Sequence, residues 1–433
     1  MGMLILQNMV SYSVNLADNI MLGSYSQFAL SGAAIVNQIQ FLLQQVTLGI
    51  GEGLVVLASQ YWGEKKLEPI NELIGIALYV GIFIGTILFF FVSFMPKRVL
   101  SIFSDDPDIL ETGSVYISLI KYTYILFIIT NILEASLRSV ETVKIAFKIS
   151  IISLVVNVII NYILIFGSFG APELGIKGAA IGTLIARCLE FAIIVYYVVF
   201  VDGKLHLRIS QILKPRFTLV KDFFRISLPV VATQFFFGLS VGLQAAILGH
   251  LSADAIAANS AASTLFQYFK LMAIGASSAS SVLIAKSVGS GKIEKIKEYS
   301  RTFQIIYILI GVLISALLLV VRIPFLSLYS LTPDARILAN QIIIILSFTC
   351  VGTAYQMPTL TGIVRGGGDT KFVLKNDLIC IWLIMYPISF LVAFYWKLPI
   401  YIVVIFLNSD QVFKCIPASI KVNKYNWINK LTK

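Results

Sequence analysis

The sequence predicts an all-α polytopic membrane protein with about twelve transmembrane helices in two parallel six-helix repeats. Three observations carry that expectation: the composition, the recurrence of apolar windows, and a match of the chain to itself. Of 433 residues, 58% are hydrophobic and only 13% charged, with a mean hydropathy of +0.89. A soluble chain of this length would need far more Lys, Glu, Asp and Arg to cover its surface.

Apolar windows about 20 residues long, enough to span a hydrocarbon core of about 30 Å, recur from end to end. Their cores lie near 4–22, 33–58, 73–95, 114–137, 145–167, 176–201, 226–249, 257–285, 302–321, 337–363, 373–396 and 399–420. The first has neither a basic n-region nor a small-residue cleavage pattern, so it reads as a retained helix and not a signal peptide. It holds Asp18, in "NLADNIMLG". An ionised carboxylate at the bilayer centre costs roughly 2.5 to 3.5 kcal/mol even on the mild insertion scale, which marks Asp18 as a functional candidate.

The net charge is +11, and its distribution speaks for topology, not nucleic-acid binding. With a cytoplasmic N-terminus, the inside loops and tail collect about 24 Lys and Arg and the outside loops about 6, as the positive-inside rule requires. The largest inside cluster runs from Asp202 to Arg225, between the sixth and seventh windows, and it has no aromatic stacking motif. The cysteines, Cys188, Cys350, Cys380 and Cys415, lie in predicted helices without metal spacing and read as apolar packing residues.

The duplication aligns "IMLGSYSQFALSGAA" (Ile20 to Ala34) with "AILGHLSADAIAANS" (Ala246 to Ser260). Without a gap, Gly49 falls on Gly275, Gly63 on Gly289, Lys66 on Lys292 and Glu72 on Glu298, and "LSIFSDDPD" falls on "LSLYSLTPD". After a slip of one residue, Arg138 and Lys144 fall on Arg365 and Lys371. The expected organisation is an N-terminal six-helix bundle (1–201), a cytoplasmic basic linker (202–225) and a C-terminal six-helix bundle with a short cytoplasmic tail (226–433). An even number of spans per half makes the repeat parallel. Two like bundles of this kind are the plan on which secondary transporters build alternating access.

Enzyme chemistry finds little to draw on. The chain has two histidines, His206 in the linker and His250 after the seventh helix, so a His-based triad or metal site lacks its parts. "RGGGDTK" (Arg365 to Lys371) is glycine-rich but lacks the lysine-hydroxyl ending of a phosphate loop and follows a membrane helix instead of a strand. With no nucleotide site, the energy for transport would come from an ion gradient.

The segments "LADNIMLG", "ALSGAAI", "LASQYWGEKK", "NVIINYILIFGSFGAPELGIKGAAIGTLIAR" and "RGGGDTK" resemble the multidrug and toxic compound extrusion (MATE) family of the flippase-like superfamily, over nearly the whole chain. The resemblance implies two six-helix bundles arranged as a V around a central cavity. It also implies export of bulky, amphipathic, cationic compounds in exchange for protons or sodium ions, with no cofactor, from a monomer in the cell membrane. By the same resemblance Asp18 matches the first-helix aspartate that takes the coupling ion, Asn157 a polar ligand of that site and Thr183 a hydroxyl ligand from the sixth helix. Asn161 stands where many relatives have a second aspartate. Relatives also usually begin earlier and carry a proline in the first helix, which this one lacks.

The residues support that site independently. Asn157 and Asn161, four apart, share a helix face, and a carboxylate with amide and hydroxyl oxygens can hold a proton or a sodium ion. Interhelical hydrogen bonding explains the two asparagines equally well. An ion pair with Lys121 or Arg187 is the alternative for Asp18. In the second half the seventh window offers Gln234 where some relatives carry an acid, and the repeat equivalent of Asp18 is Gln244. Asp369 matches a C-lobe aspartate, or else caps the next helix or pairs with Arg365. Glu134, Glu190, Lys270 and Asp377 are further buried polar candidates, and Glu190 is spaced to pair with Arg187. Glu52, in "GIGEG", and the aromatic residues Phe235, Phe236, Phe237, Tyr268 and Phe269 are candidates for a substrate cavity, with lipid-facing packing as the alternative for the aromatics. Two other functions stay open: a flippase for a lipid-linked or polysaccharide precursor, which wants more buried Arg and Lys, and a non-transporting membrane scaffold.

Overall fold

The computed structural model describes residues 2–104, 106–207, 211–212, 215–327, 329 and 331–432. Parts of the predicted linker (208–210 and 213–214) and of the "LSIFSDDPD" and "LSLYSLTPD" segments (105, 328 and 330) lie outside them.

The described chain is helical, with no strand among the described residues. Its main elements are α1 (Gly2–Tyr25), α2 (Gln27–Gly63), α3 (Glu68–Phe94), α4 (Pro107–Ile120), α5 (Thr123–Ser139) and α6 (Lys144–Phe166). They continue with α7 (Ile176–Val201), α8 (Phe217–Gly249), α9 (Ala253–Gly289) and α10 (Ile293–Leu326). The last are α11 (Pro333–Val364), α12 (Thr370–Tyr395) and α13 (Ile400–Lys424). Among the described residues ten helices are long and apolar enough to cross a membrane, and the bent pair α4–α5 makes an eleventh crossing. α1, 24 residues long, would bring the number to the expected twelve, but Gln7, Asn8, Ser11, Asn15 and Asp18 interrupt its apolar run.

The fourth span departs from the straight helix expected over 114–137. It starts at Pro107 and bends by 53° between Ile120 and Thr123. No proline or glycine sits at the break. At the break Thr123 donates its hydroxyl to Ile120 O at 2.7 Å, giving that carbonyl a side-chain partner. Lys121, at the corner, lies over the rings of Phe89 and Tyr122.

Helix starts follow capping chemistry, and the repeat shows in them. Asp106 accepts from Asp108 N at 2.9 Å ahead of Pro107 at the head of α4, and Thr332 accepts from Ala335 N at 3.2 Å ahead of Pro333 at the head of α11. In both places a side-chain oxygen satisfies an orphan N–H while proline occupies the position whose N–H needs no partner.

The helices pack as two compact units. The C-terminal unit comprises Met1–Ile5, Ser59–Glu64 and Ala232–Lys433; the N-terminal unit comprises Leu6–Ala58 and Lys65–Val231. Within the C-terminal unit, the last turn of α2 crosses the end of α9 at repeat-equivalent glycines: a Cβ on Gly63 would fall on Lys286 O, and one on Gly289 on Gln60 O. There Gln60 donates to Asn429 O (3.1 Å) and accepts from Leu431 N (2.8 Å), which holds the C-terminal segment in place. The core of this unit runs through Ala258, Ala262, Ile314, Leu318, Ile342, Ile343, Val403 and Val404. In the N-terminal unit the basic linker is held against α3, where Arg216 Nη2 lies 2.8 Å from Glu72 Oε1. All four cysteines are free, with Cys350 and Cys380 buried.

Candidate functional site

α6 reverses the usual membrane-helix pattern, because its protein-facing side is polar. Ser150, Ser153, Asn157 and Asn161 are buried at steps of three and four residues, while Ile151, Ile152, Val155 and Ile159 are exposed. A polar stripe inside a bilayer survives only where partners satisfy it, and α1 and α7 supply them.

α7 approaches through Gly178 and Gly182, four residues apart. A Cβ at Gly178 would meet Leu164 O, and one at Gly182 would fall on Asn161 Oδ1. This is the close helix contact that small residues at i and i+4 allow in a membrane. It seats the Asn161 carboxamide against bare backbone and turns its Nδ2 toward α1, where it donates to Asp18 Oδ1 at 2.6 Å and more weakly to Asn157 Oδ1 at 3.4 Å.

Asp18 is 9% exposed, Asn157 and Asn161 are fully buried, and Thr183 is 8% exposed. The structure thus brings together all four residues expected at a coupling site. Neither expected cation takes Asp18 as its partner. Arg187 Nη1 lies 2.7 Å from Glu190 Oε2, the i,i+3 pair expected on α7, and its guanidinium is 5.0 Å from the centre of the Phe127 ring; Lys121 is at the α4–α5 corner. Among the described residues Asp18 makes no ion pair.

A cavity of about 20 Å³ adjoins Asp18. That holds a water or a small ion and excludes a drug-sized molecule, which needs roughly 300 Å³ or more. Its polar lining is Asn15 and Asp18 from α1, Asn37 and Gln40 from α2, Tyr116 from α4, Ser153 and Asn157 from α6, and Thr183 and Arg187 from α7. Three buried polar atoms here make no hydrogen bond: Asn157 Nδ2, Asn161 Oδ1 and Thr183 Oγ1. Buried polar atoms without partners are rare in proteins; of these, Thr183 Oγ1 is an oxygen on the cavity wall open to an occupant, whereas Asn157 Nδ2 is a donor and Asn161 Oδ1 faces Gly182. The Asp18 carboxylate, the Thr183 hydroxyl and the carboxamide and hydroxyl oxygens on the cavity wall are hard oxygen donors of the kind a sodium ion or a hydrated proton accepts.

Asn15, Asn37, Gln40 and Ser153 were not among the sequence candidates. Their signal was spacing: Asn15 and Asp18 are three apart, as are Asn37 and Gln40, and Ser153 precedes Asn157 by one turn.

The remaining candidates lie elsewhere. Glu52 is buried and paired with Arg138 at 2.7 Å. In the C-terminal unit, Asp369 caps α12 by accepting from Phe372 N at 3.2 Å, and its ion pair is with Lys421 at 2.7 Å, not Arg365. Gln234 is partly exposed. Phe235 is 42% exposed and meets Phe236 edge-on, as Tyr268 meets Phe269. Gln244, the repeat equivalent of Asp18, donates to Leu407 O at 3.0 Å. The buried charge of this unit gathers around Lys414, which bridges Asp377 (2.9 Å) and Asp410 (3.2 Å).

The MatE family model matches the chain twice, over residues 4–163 and 229–391. Among curated relatives, "Probable multidrug resistance protein NorM" of Thermotoga maritima is 24% identical over 409 residues, covering 94% of this chain and 87% of its own length. "Probable multidrug resistance protein YoeA" of Bacillus subtilis is 25% identical over 365 residues, covering 83% and 78%. Among solved structures, a MATE transporter in complex with MaL6 superposes with a TM-score of 0.88 at 15% identity, covering 98% of this chain and 94% of its own. The Vibrio cholerae MATE transporter VcmN in the bent form gives 0.83 at 18% identity, covering 98% and 94%. With the family model covering most of its length in two copies, the chain belongs to the MatE family of multipass membrane transporters and is not an enzyme.

Proposed function

We propose that the protein is a secondary antiporter that exports amphipathic, cationic compounds in exchange for protons or sodium ions, with Asp18 as the carboxyl that takes the ion. The observation that carries this reading is the environment of Asp18: a buried acid that makes no ion pair among the described residues, held by a neutral amide beside an ion-sized polar cavity. Binding an ion there removes a buried charge and changes how α1 is held against α6, so the ion favours one of two arrangements and its release the other. The relatives named as multidrug resistance proteins support the substrate class. The distribution of Lys and Arg supports cytoplasmic termini in the cell membrane, and the chain acts as a monomer.

The test is ethidium efflux from proteoliposomes under imposed proton and sodium gradients, comparing wild type with Asp18→Asn. Gradient-driven efflux in the wild type and none in the variant is expected. Undiminished, gradient-dependent efflux in Asp18→Asn overturns the reading.

A further inference from the structure

The membrane-embedded part of the N-terminal unit carries more acid than base. Glu52, Glu134 and Glu190 come from α2, α5 and α7, and Asp18 joins them from α1; the bases facing them are Arg138 and Arg187. Glu52 is taken by Arg138 and Glu190 by Arg187, each at 2.7 Å. Two acids are left over, Asp18 and Glu134. Each is met by neutral carboxamide: Asn161 Nδ2 at 2.6 Å from Asp18 Oδ1, with Asn157 also facing that carboxyl, and Gln7 Nε2 at 3.2 Å from Glu134 Oε2.

The kind of partner decides what an acid can do. A buried ion pair holds its carboxylate ionised, because protonation would strand the guanidinium in low dielectric. A carboxamide N–H donates to a carboxylate or to the carbonyl oxygen of a carboxylic acid, so an amide-held acid keeps its partner in both states.

Both amide-held acids fasten the same helix. Gln7, Ser11 and Asp18 are spaced four and seven apart and so share one face of α1. Ser11 Oγ lies 3.3 Å from Ser150 Oγ between them. From Gln7 to Asp18 is about 16 Å along the axis, so α1 is tied near each end of this stretch through a carboxyl that can change charge. The charges facing Glu134 are Glu190 and Arg187 from α7, and Arg138 one turn on in α5. α2 brings Glu52, already bound by Arg138. α1 brings only neutral Gln7, and α3, packed on α5, has no charged residue beyond Glu72 in its first turns.

We propose that Glu134 is a second proton-exchanging carboxyl of the transport cycle, which fastens and releases the Gln7 end of α1 while Asp18 does so at the other end. This rests on the antiport reading above, and it gives the unit a second exchangeable acid even though Asn161 replaces one beside Asp18.

The test compares wild type, Glu134→Gln, Asp18→Asn and Gln7→Leu in ethidium-efflux proteoliposomes over a range of pH. The infrared C=O band of protonated carboxyls is followed on the same purified proteins. The steepness of efflux against pH should fall from about two protons in the wild type to about one in Glu134→Gln. The carboxyl band that grows on acidification should shrink in that variant, and in Gln7→Leu it should appear at higher pH, since the amide no longer stabilises the carboxylate.

A Glu134→Gln protein with wild-type band and efflux profile overturns the proposal. So does a lost band with unchanged efflux, because Glu134 would then titrate without serving transport, and so does wild-type efflux with no pH dependence. Should Glu134→Gln not accumulate, an unmoved band in Gln7→Leu overturns it. Asp18→Asn separates the two readings: normal coupling in that variant defeats the assignment of Asp18, whereas an uncoupled Asp18→Asn beside a wild-type Glu134→Gln defeats only the role of Glu134.

Discussion

In the C-terminal unit Lys414 sits between Asp377 and Asp410 at 2.9 and 3.2 Å, whereas in the N-terminal unit Asp18 meets one asparagine amide at 2.6 Å. Around Lys414 the polar groups bond mainly to one another and to a cation, with Asp410 Oδ1 left without a hydrogen bond. Gln411 donates to Asp410 Oδ2 (2.8 Å) and accepts from Thr353 and Gln356, both at 3.0 Å. Lys270, 5.1 Å from the centre of the Phe237 ring, lies within electrostatic reach of the same group, so two acids face two bases. Around Asp18 no cation closes the group, and a small cavity adjoins it whose wall holds the unpartnered Asn157 Nδ2 and Thr183 Oγ1. Two halves that match as repeats thus hold their buried charge in different ways. A balanced ion-pair network locks helices together, and an acid held by amides can change its charge without losing its partner.

The largest expected effects come from exchanging these roles. Asp18→Asn removes a buried charge while keeping the shape, so the protein should fold as well as the wild type or better while gradient-driven efflux falls to background. Lys414→Met should do the opposite: buried Asp410 and partly buried Asp377 lose their common cation, at about 3–5 kcal/mol for breaking a buried pair. It should appear as a large loss of thermal stability in detergent. The triple change Asp377→Asn, Asp410→Asn, Lys414→Met should recover much of that stability and leave the pH dependence of efflux as in the wild type. A triple variant that is stable but uncoupled would show that the C-terminal network also takes part in ion exchange.

Next in size is Gly182→Ala. Its Cβ would fall on Asn161 Oδ1, and overpacking of this kind costs about 1–3 kcal/mol. Displacing Asn161 also takes the amide from Asp18, so efflux should drop together with stability. Adding Asn161→Ala makes room for the methyl group: thermal unfolding should return toward that of Asn161→Ala alone while efflux stays low. A stable, fully active Gly182→Ala protein would mean that the Asn161 amide does not need its seat on α7.

Sequence patterns made the spans legible because a bilayer demands long apolar windows, and the ends of α7, α11 and α12 fall close to the expected limits. The bend in the fourth span was not legible, since no proline or glycine marks the break between Ile120 and Thr123. The gathering of Asp18, Asn157, Asn161 and Thr183 followed from the family resemblance and from helical spacing. The spacing of Asn37 and Gln40 puts them on one face of α2, but that this face lines the cavity depends on how α2 packs. Asp410 and Lys414 are four apart and so were available as a pair, but the share of Asp377, from another helix, becomes visible only in three dimensions.

The smallest effect is expected at Thr183. Its Oγ1 is buried without a hydrogen bond, with Tyr116 nearby on the same cavity wall. A hydroxyl in that position contributes nothing to stability that an isosteric methyl group would lose, and a buried polar atom without a partner costs about 1–3 kcal/mol, so Thr183→Val should be as stable as the wild type or slightly more so. If the hydroxyl serves as an ion ligand, the variant should still export ethidium, but should need a several-fold higher concentration of the coupling ion for half-maximal efflux. Measured against sodium and against protons separately, that shift also identifies the ion. A sodium ion loses one oxygen from its shell and shows the change, whereas a proton carried on Asp18 needs no such shell and leaves the proton dependence nearly unmoved.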